Sequence, residues 1–466
     1  MTVPATQPAS DGVAARAPLS FNQEFLSLFD KGDGEGPFGP KYFIVAAWRL
    51  RGSLDLDALR AALADVVRRH EILRTEVVRD GENSAQLVRP PSQPQLEVRD
   101  LPVPDPADRD ARAERLLAEV ETEEYGFGEL PLLNAVLGRF AADDAALVLI
   151  AHHAAADEWS MQLLVRDLAN AYATRTGHQV PELPEVRQYR EFTVWERERV
   201  GTPGADRNRE YWRDKLKGAR IHTTRTDHPR SAQLPKSTAA HRFLVDADLT
   251  RDVLKLSRSL RASPFMVMLA AYKEFLRRDT GRSDLTVPTL SSGRGQARFH
   301  QTVGSFFNFV PLRTDVSDCH TFRDVVTATR RTCVQAYSHD LPFGLVLGEA
   351  PELMASLAAD DQAIFAFQVF QMPFAMKAET VGDVVYSDLR RRLTSQEETT
   401  DVPDGALWTF DLDPDGETVG SLLYNTNLLD PARMARMADE YCALLRRLVD
   451  APDAPLDAPA DRTPTA

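Results

Sequence analysis

Ile150-Ala151-His152-His153-Ala154-Ala155-Ala156-Asp157-Glu158-Trp159-Ser160 joins two structural signals within eleven residues. The run Ala145 to Ala151 is short, continuous and apolar, which reads as a buried strand. After Asp157, residues Trp159, Leu163, Leu164 and Leu168 fall at helical spacing. The strand therefore delivers two histidines at its end, three alanines leave room beside them, and a carboxylate opens the helix. An imidazole so placed is within reach of a ligand.

Histidine titrates near neutrality, so it can take a proton from an attacking hydroxyl or amine and later return it. The carboxylate four residues on could orient the ring directly, or hold the loop through an arginine. The bare spacing H-x-x-x-D is equally compatible with a purely structural pair, because buried histidines commonly just satisfy hydrogen bonds. A metal site is disfavoured: there is no H-E-x-x-H, and no third ligand lies nearby in the sequence.

Elsewhere the chain alternates helical and strand signals. Leu56, Leu59, Leu63 and Val66 recur at spacings of three and four behind Asp55, a helix cap, and Glu76 to Arg79 is a strand ended by Asp80-Gly81. Pro181 and Pro184 punctuate a change of composition. Tyr189–Arg199 and Asn208–Leu216 read as charged helices, and His222 to Ala240 as irregular. Ser263-Pro264 and Asp430-Pro431 each place a cap and a first-turn proline before an apolar stripe. Leu285 to Leu290 and Val303 to Arg313 read as strands.

The chain has 466 residues with 55 basic and 69 acidic side chains, a net charge of −14, and 43% hydrophobic residues. That length suits two or three folding units. The negative balance argues against a general nucleic-acid or anionic-membrane binder. Cys319, Cys333 and Cys442 are odd in number and form no C-x-x-C pair, which suits a reducing cytoplasm. No run reaches the ~18 apolar residues of a membrane span, and no signal peptide opens the chain.

Several segments together resemble one family. His152-His153-Ala154-Ala155-Ala156-Asp157-Glu158 is similar to the HHxxxDG signature of nonribosomal peptide synthetase condensation domains, members of the chloramphenicol-acetyltransferase-like superfamily. Arg69-His70-Glu71-Ile72-Leu73-Arg74-Thr75 resembles the family's RHExLRT, and Tyr189-Arg190-Glu191-Phe192-Thr193-Val194-Trp195 its YxDYAxW. Ser291-Ser292-Gly293-Arg294 resembles its SGR strand end, and Val303-Gly304-Ser305-Phe306-Phe307-Asn308 its IGxFVN. His339-Asp340-Leu341-Pro342-Phe343 is similar to HQDxPF, and Leu423-Tyr424-Asn425-Thr426-Asn427-Leu428-Leu429 to a late strand. The matches keep the family's order from about Pro18 to Val449.

The resemblance implies a mixed α/β fold, α+β and α/β in character, with two chloramphenicol-acetyltransferase-like lobes in a V around a central tunnel. The expected divisions are a disordered tail over 1–17, an N-terminal lobe over 18–180, a crossover over 181–240, a C-terminal lobe over 241–449 and a second tail over 450–466. By the family's pattern His153 is the catalytic residue and His152 a packed neighbour. Asp157 holds the loop by pairing with Arg294, and Trp159, Ser291 and Asn308 are candidates for the tunnel wall. The phenylalanines Phe306, Phe307 and Phe309 read first as core or wall.

The implied activity is transfer of an aminoacyl or acyl group from a thioester on the phosphopantetheine arm of a carrier protein to a hydroxyl or amine of a small molecule, giving an ester or an amide. That arm is a substrate, and no permanently bound cofactor is expected. With no adenylation or carrier module in the sequence, a free-standing cytoplasmic enzyme is expected, as in condensation enzymes that act on enediyne antibiotic cores. Glu158 departs from the family's glycine. The Asp-Glu ending also resembles X domains, noncatalytic relatives that recruit oxygenases, but those lose the second histidine, which is present here as His153.

Overall fold

The computed structural model describes residues 12–372, 374–392, 395–402 and 404–457. Contacts divide the chain into two compact units. The first takes the residues up to Thr202 together with Ser292–Phe307 and Met372–Arg391; the second takes Pro203–Ser291, Asn308–Gln371 and the chain from Arg392 onward.

In the first unit a six-stranded sheet runs in the spatial order Glu379–Val381, Val384–Asp388, Phe43–Arg51, Asp144–His152, Leu133–Ala141, Leu96–Asp100. Strand Asp144–His152 is central and buried along nearly its whole length, which explains its continuous apolar sequence. Alternation along the strands sends Phe43, Val45, Val148 and Ile150 to one face, where Leu116, Leu117 and Val120 of helix Arg109–Glu121 complete a core. Helices Leu56–Arg69 and Glu158–Arg175 pack on each other in the same unit. Asp55 caps the first, its carboxylate accepting from the N–H groups of Asp57 and Ala58.

The second unit holds an eight-stranded sheet whose path runs Asn308–Asp315, Asp284–Ser291, Gln362–Phe370, Gly405–Leu412, Thr418–Asn425, Thr238–Val245, Ser395–Gln396, with Thr223–Arg225 also paired to Gln362–Phe370. Trp408, Phe410, Phe367, Tyr272 and Tyr441 pack ring against ring in its core.

The structure departs from the sequence expectations in four places. Helix Tyr189–Val200 belongs to the first unit, and two later segments return to it, so 18–180, 181–240 and 241–449 are not its natural divisions. The returning segment is held by strand pairing: Val385 opposes Arg51 and Asp388 opposes Trp48. The tails are partly tied down. Ala15–Ala17 pairs with Ala85–Val88, Pro455 bridges Thr321, and Arg278 holds Asp457 at 3.0 Å; residues 1–11 and 458–466 lie outside the described residues. Strand pairing begins at Asn308 rather than Val303, because Val303–Phe307 is buried as a loop. Finally, the stretch read as irregular contains strand Thr223–Arg225 and the start of Thr238–Val245.

Candidate active site

His152 ends its strand and His153 opens the turn that follows. The two neighbours have opposite circumstances. His152 is buried; its Nδ1 accepts from the Ala154 N–H at 3.2 Å, so Nε2 carries the proton and faces the Gly39 carbonyl at 3.3 Å. Burial, reinforced by His153 and Arg79, pushes its pKa down to about 3 against the opposing Gly39 bond. Both nitrogens are occupied, and His152 is a neutral packing residue.

His153 keeps part of its surface open within a dense surround. Its Nδ1 lies 2.9 Å from the Ala156 carbonyl. A carbonyl can only accept, so Nδ1 carries the hydrogen and Nε2 keeps its lone pair. Burial holds the imidazole below its ordinary pKa of 6.5, with the Ala156 carbonyl and then Asp157 pulling the other way. The ring is thus neutral at pH 7, in the tautomer that presents a base at Nε2. Tyr42 stacks on it at 5.1 Å, and Phe307 meets it at 4.9 Å.

Asp157 does not orient that ring. It is the N-cap of helix Glu158–Arg175, and its Oδ1 accepts from the Ser160 N–H at 2.8 Å and the Ser160 hydroxyl at 2.6 Å. Arg294 Nη2 lies 2.9 Å from Oδ1 and 3.2 Å from Oδ2, so the two residues paired by the resemblance do meet. Arg294 is itself buried. Its Nη1 donates to the carbonyls of Phe299 and Thr302, and its guanidinium lies 4.0 Å over the Phe306 ring. Of the two roles open to the carboxylate, the structure has the one through an arginine.

The other sequence candidates separate. Glu158 is the first residue of the helix, half-buried in its first turn, where a negative charge suits the helix dipole. Trp159 donates from Nε1 to the His300 carbonyl at 3.0 Å and meets Phe374 edge-on at 6.0 Å. Ser291 and Asn308 oppose each other in the second unit. Asn308 spends its amide on the chain, donating to the Leu341 carbonyl and accepting from the Phe343 N–H, both at 2.9 Å. His339 stacks on Tyr211 at 4.0 Å, and its carbonyl accepts from Trp212. His70 bonds to buried Asp167 on the motif's own helix, which Arg69 also grips at 2.7 Å.

Four contributors have no role in the sequence reading, three of them although they stand inside quoted motifs: Tyr42, the Ala156 carbonyl, Ser160 and Gly304. The Ser160 hydroxyl meets Asp157, Arg294 Nη2, and both the N–H and the carbonyl of Gly304. A Cβ on Gly304 would lie 2.1 Å from the Tyr189 ring, so only glycine fits. Gly293 has a φ of +62°, and a Cβ there would lie 2.0 Å from the Phe306 carbonyl oxygen. Among the described residues no cluster of three or more His, Cys, Asp or Glu side chains could hold a metal ion, and no helix is long and apolar enough to cross a membrane.

Residues 14–460 match the condensation domain family. The chain belongs to that family. It is 32% identical over 452 residues to the phosphinothricin tripeptide synthetase PhsC of Streptomyces viridochromogenes, covering 96% of this chain and 40% of that one. It is 31% identical over 447 residues to the chondramide synthase cmdD of Chondromyces crocatus, covering 94% of this chain but 11% of that protein. This condensation-domain chain thus spans less than half of either synthetase. Among solved structures, SgcC5 of Streptomyces globisporus, in complex with (R)-(-)-1-(2-naphthyl)-1,2-ethanediol and sucrose, is 51% identical with a TM-score of 0.91, covering 94% of this chain and 100% of that one. The X-domain from teicoplanin biosynthesis is 25% identical with a TM-score of 0.74, covering 99% of each chain. The mixed α/β, chloramphenicol-acetyltransferase-like class is that of these relatives.

Proposed function

We propose that the chain is an acyltransferase that moves an aminoacyl or acyl group from the phosphopantetheine thioester of a carrier protein to a hydroxyl of a small-molecule acceptor. The observation that carries this reading is the tautomer of His153, whose Nδ1–H is spent on the Ala156 carbonyl and whose Nε2 is left as a base. In the proposed step Nε2 takes the acceptor's proton as its oxygen attacks the thioester carbonyl. The tetrahedral intermediate then breaks its carbon–sulfur bond, and the imidazolium returns the proton to the leaving thiolate. Asp157, Arg294 and Ser160 keep the loop in shape.

A hydroxyl acceptor and an ester product are favoured over an amine and an amide because the 51% identical SgcC5 was crystallised with an aryl vicinal diol. The same likeness makes an aryl vicinal diol the acceptor chemistry of this reading. A second reading, a noncatalytic recruitment domain, draws on the X-domain likeness and the shared Asp-Glu ending.

The test supplies an aminoacyl carrier protein with 1-aryl-1,2-diols and the matching amino alcohols, read by mass spectrometry. Ester formation that falls at least about 10²-fold in His153→Ala supports the reading. Normal turnover by that variant overturns the role of His153. Carrier or oxygenase binding without transfer to any acceptor favours recruitment. The rate should hold through neutral pH and fall only below the ordinary histidine value of 6.5, as His153, held down by burial, takes up a proton and loses its lone pair.

A further inference from the structure

The ladder that carries the histidines continues one step beyond its last strand pair. Phe43 opposes His152, which brings the next residues outward, Tyr42 and His153, opposite each other. The His153 N–H donates to the Tyr42 carbonyl at 3.0 Å, extending the pairing. Opposed residues at a sheet end touch through their side chains, and here the two rings stack with planes 25° apart. Tyr42 is buried, 7% exposed, so its ring is a fixed wall. Phe307 also meets the imidazole, its ring tilted by 56°.

We propose that Tyr42 is a positioning residue for His153. Its ring face holds the imidazole in the orientation in which Nδ1–H reaches the Ala156 carbonyl, so that Nε2 is the nitrogen offered to the acceptor. The hydrogen bond at one ring nitrogen sets which nitrogen carries the proton. That bond survives only while the ring cannot swing, because it is a single contact at 2.9 Å. The nearby carboxylate of Asp157 is committed to Arg294 and Ser160, and His152 is neutral, so among the described residues no ion pair fixes the ring in place of the stack. The consequence for rate rests on the acyl-transfer reading; the consequence for ring orientation does not.

The test compares Tyr42→Phe, which keeps the ring face, with Tyr42→Met and Tyr42→Leu, two fillers without one. Nitrogen-15 NMR of the histidine side chains, with His153 assigned by His153→Gln, reports the tautomer directly. The wild type and Tyr42→Phe should show a protonated Nδ1 and a bare Nε2. In the two fillers the paired signals should move toward each other as tautomers mix, and kcat for ester formation should fall about tenfold with the acceptor KM within about twofold. A filler that keeps the wild-type signals overturns the proposal, and so does Tyr42→Phe losing as much as the fillers. Absence of transfer from every acceptor would defeat the acyl-transfer reading while the NMR comparison still decided the role of Tyr42.

Discussion

Removing the Asp157 carboxylate and Arg294 together should cost clearly less stability than the two single losses added. In Asp157→Ala the helix loses its N-cap bond to Ser160, worth about 1 kcal/mol. The Arg294 guanidinium, 5% exposed, loses its counter-charge, and an uncompensated buried charge costs about 3–5 kcal/mol. Together these come to about 4–6 kcal/mol, a large part of the roughly 5–15 kcal/mol that keeps a domain folded. Arg294 retains the Phe299 and Thr302 carbonyls, which favours the lower end.

Arg294→Met alone leaves a buried carboxylate that still accepts from the Ser160 N–H, the Ser160 hydroxyl and, at 3.4 Å, the Phe306 N–H. Its loss should be smaller, about 3 kcal/mol. In the double variant no buried charge remains, so the two losses must fail to add, with a coupling of about 2–3 kcal/mol. Urea unfolding read by tryptophan fluorescence measures this, since Trp48, Trp159 and Trp195 all lie in the first unit. Losses that add within about 0.5 kcal/mol would refute a shared electrostatic unit. A stable Asp157→Ala that is catalytically dead would assign the carboxylate to the chemistry instead.

Gly304→Ala should push a Cβ into the Tyr189 ring and lower Tm by several degrees through overpacking of about 1–3 kcal/mol, whereas Gly295→Ala, with nothing within 4 Å, should leave it unchanged. Glu196, buried and accepting from the Phe21 N–H, has its carboxyl pushed up to about 8, chiefly by burial. A raised carboxyl stabilises the fold below its unfolded value of 4.5 and loses that contribution as pH rises to about 8, so the advantage of Glu196→Gln over the wild type in thermal melts should grow across that window and then level off; a constant difference refutes it. His152 and His222, held down to about 3 and about 4 chiefly by burial, work in the opposite direction. Their contribution is complete above 6.5 and lost as pH falls through those values, so melts should show an acid limb that shrinks when His152 is replaced by Asn.

Helices were legible where an apolar stripe met a cap, as at Asp55 and Ser263, because both signals are local. At Asp430 the same signal placed the helix correctly, yet its carboxylate turns to His228 at 2.9 Å rather than to the helix N–H groups. Val303–Phe307 looked like strand because loop and strand cores are equally apolar; its partners are Ser160 and the Tyr189 ring, neither of which periodicity can name. The return of residues 372–391 to the first unit is a long-range pairing with strand Phe43–Arg51, and alternation reports which face is buried, not which strand lies alongside. The Ala156 carbonyl, which sets the His153 tautomer, carries no side-chain signature at all.

The motif segments make sense as supports for one loop. Arg69 and His70 grip Asp167 nearly three turns along the helix that Asp157 caps, fixing its axis. Tyr189 donates to the Ser305 carbonyl and packs on Gly304, which presents both of its backbone groups to Ser160 in the first turn of that helix. Arg294 then closes the circuit onto Asp157 and Ser160. Each contact is remote in sequence from the histidines, and none of these side chains bonds to the His153 ring. What they share is the helix start, whose position sets where the Ala156 carbonyl points. A single-residue signature at His153 would tolerate many folds; the requirement that a backbone oxygen lie 2.9 Å from Nδ1 does not. That requirement physically links segments as far apart as Arg69 and Gly304 to one proton on one imidazole.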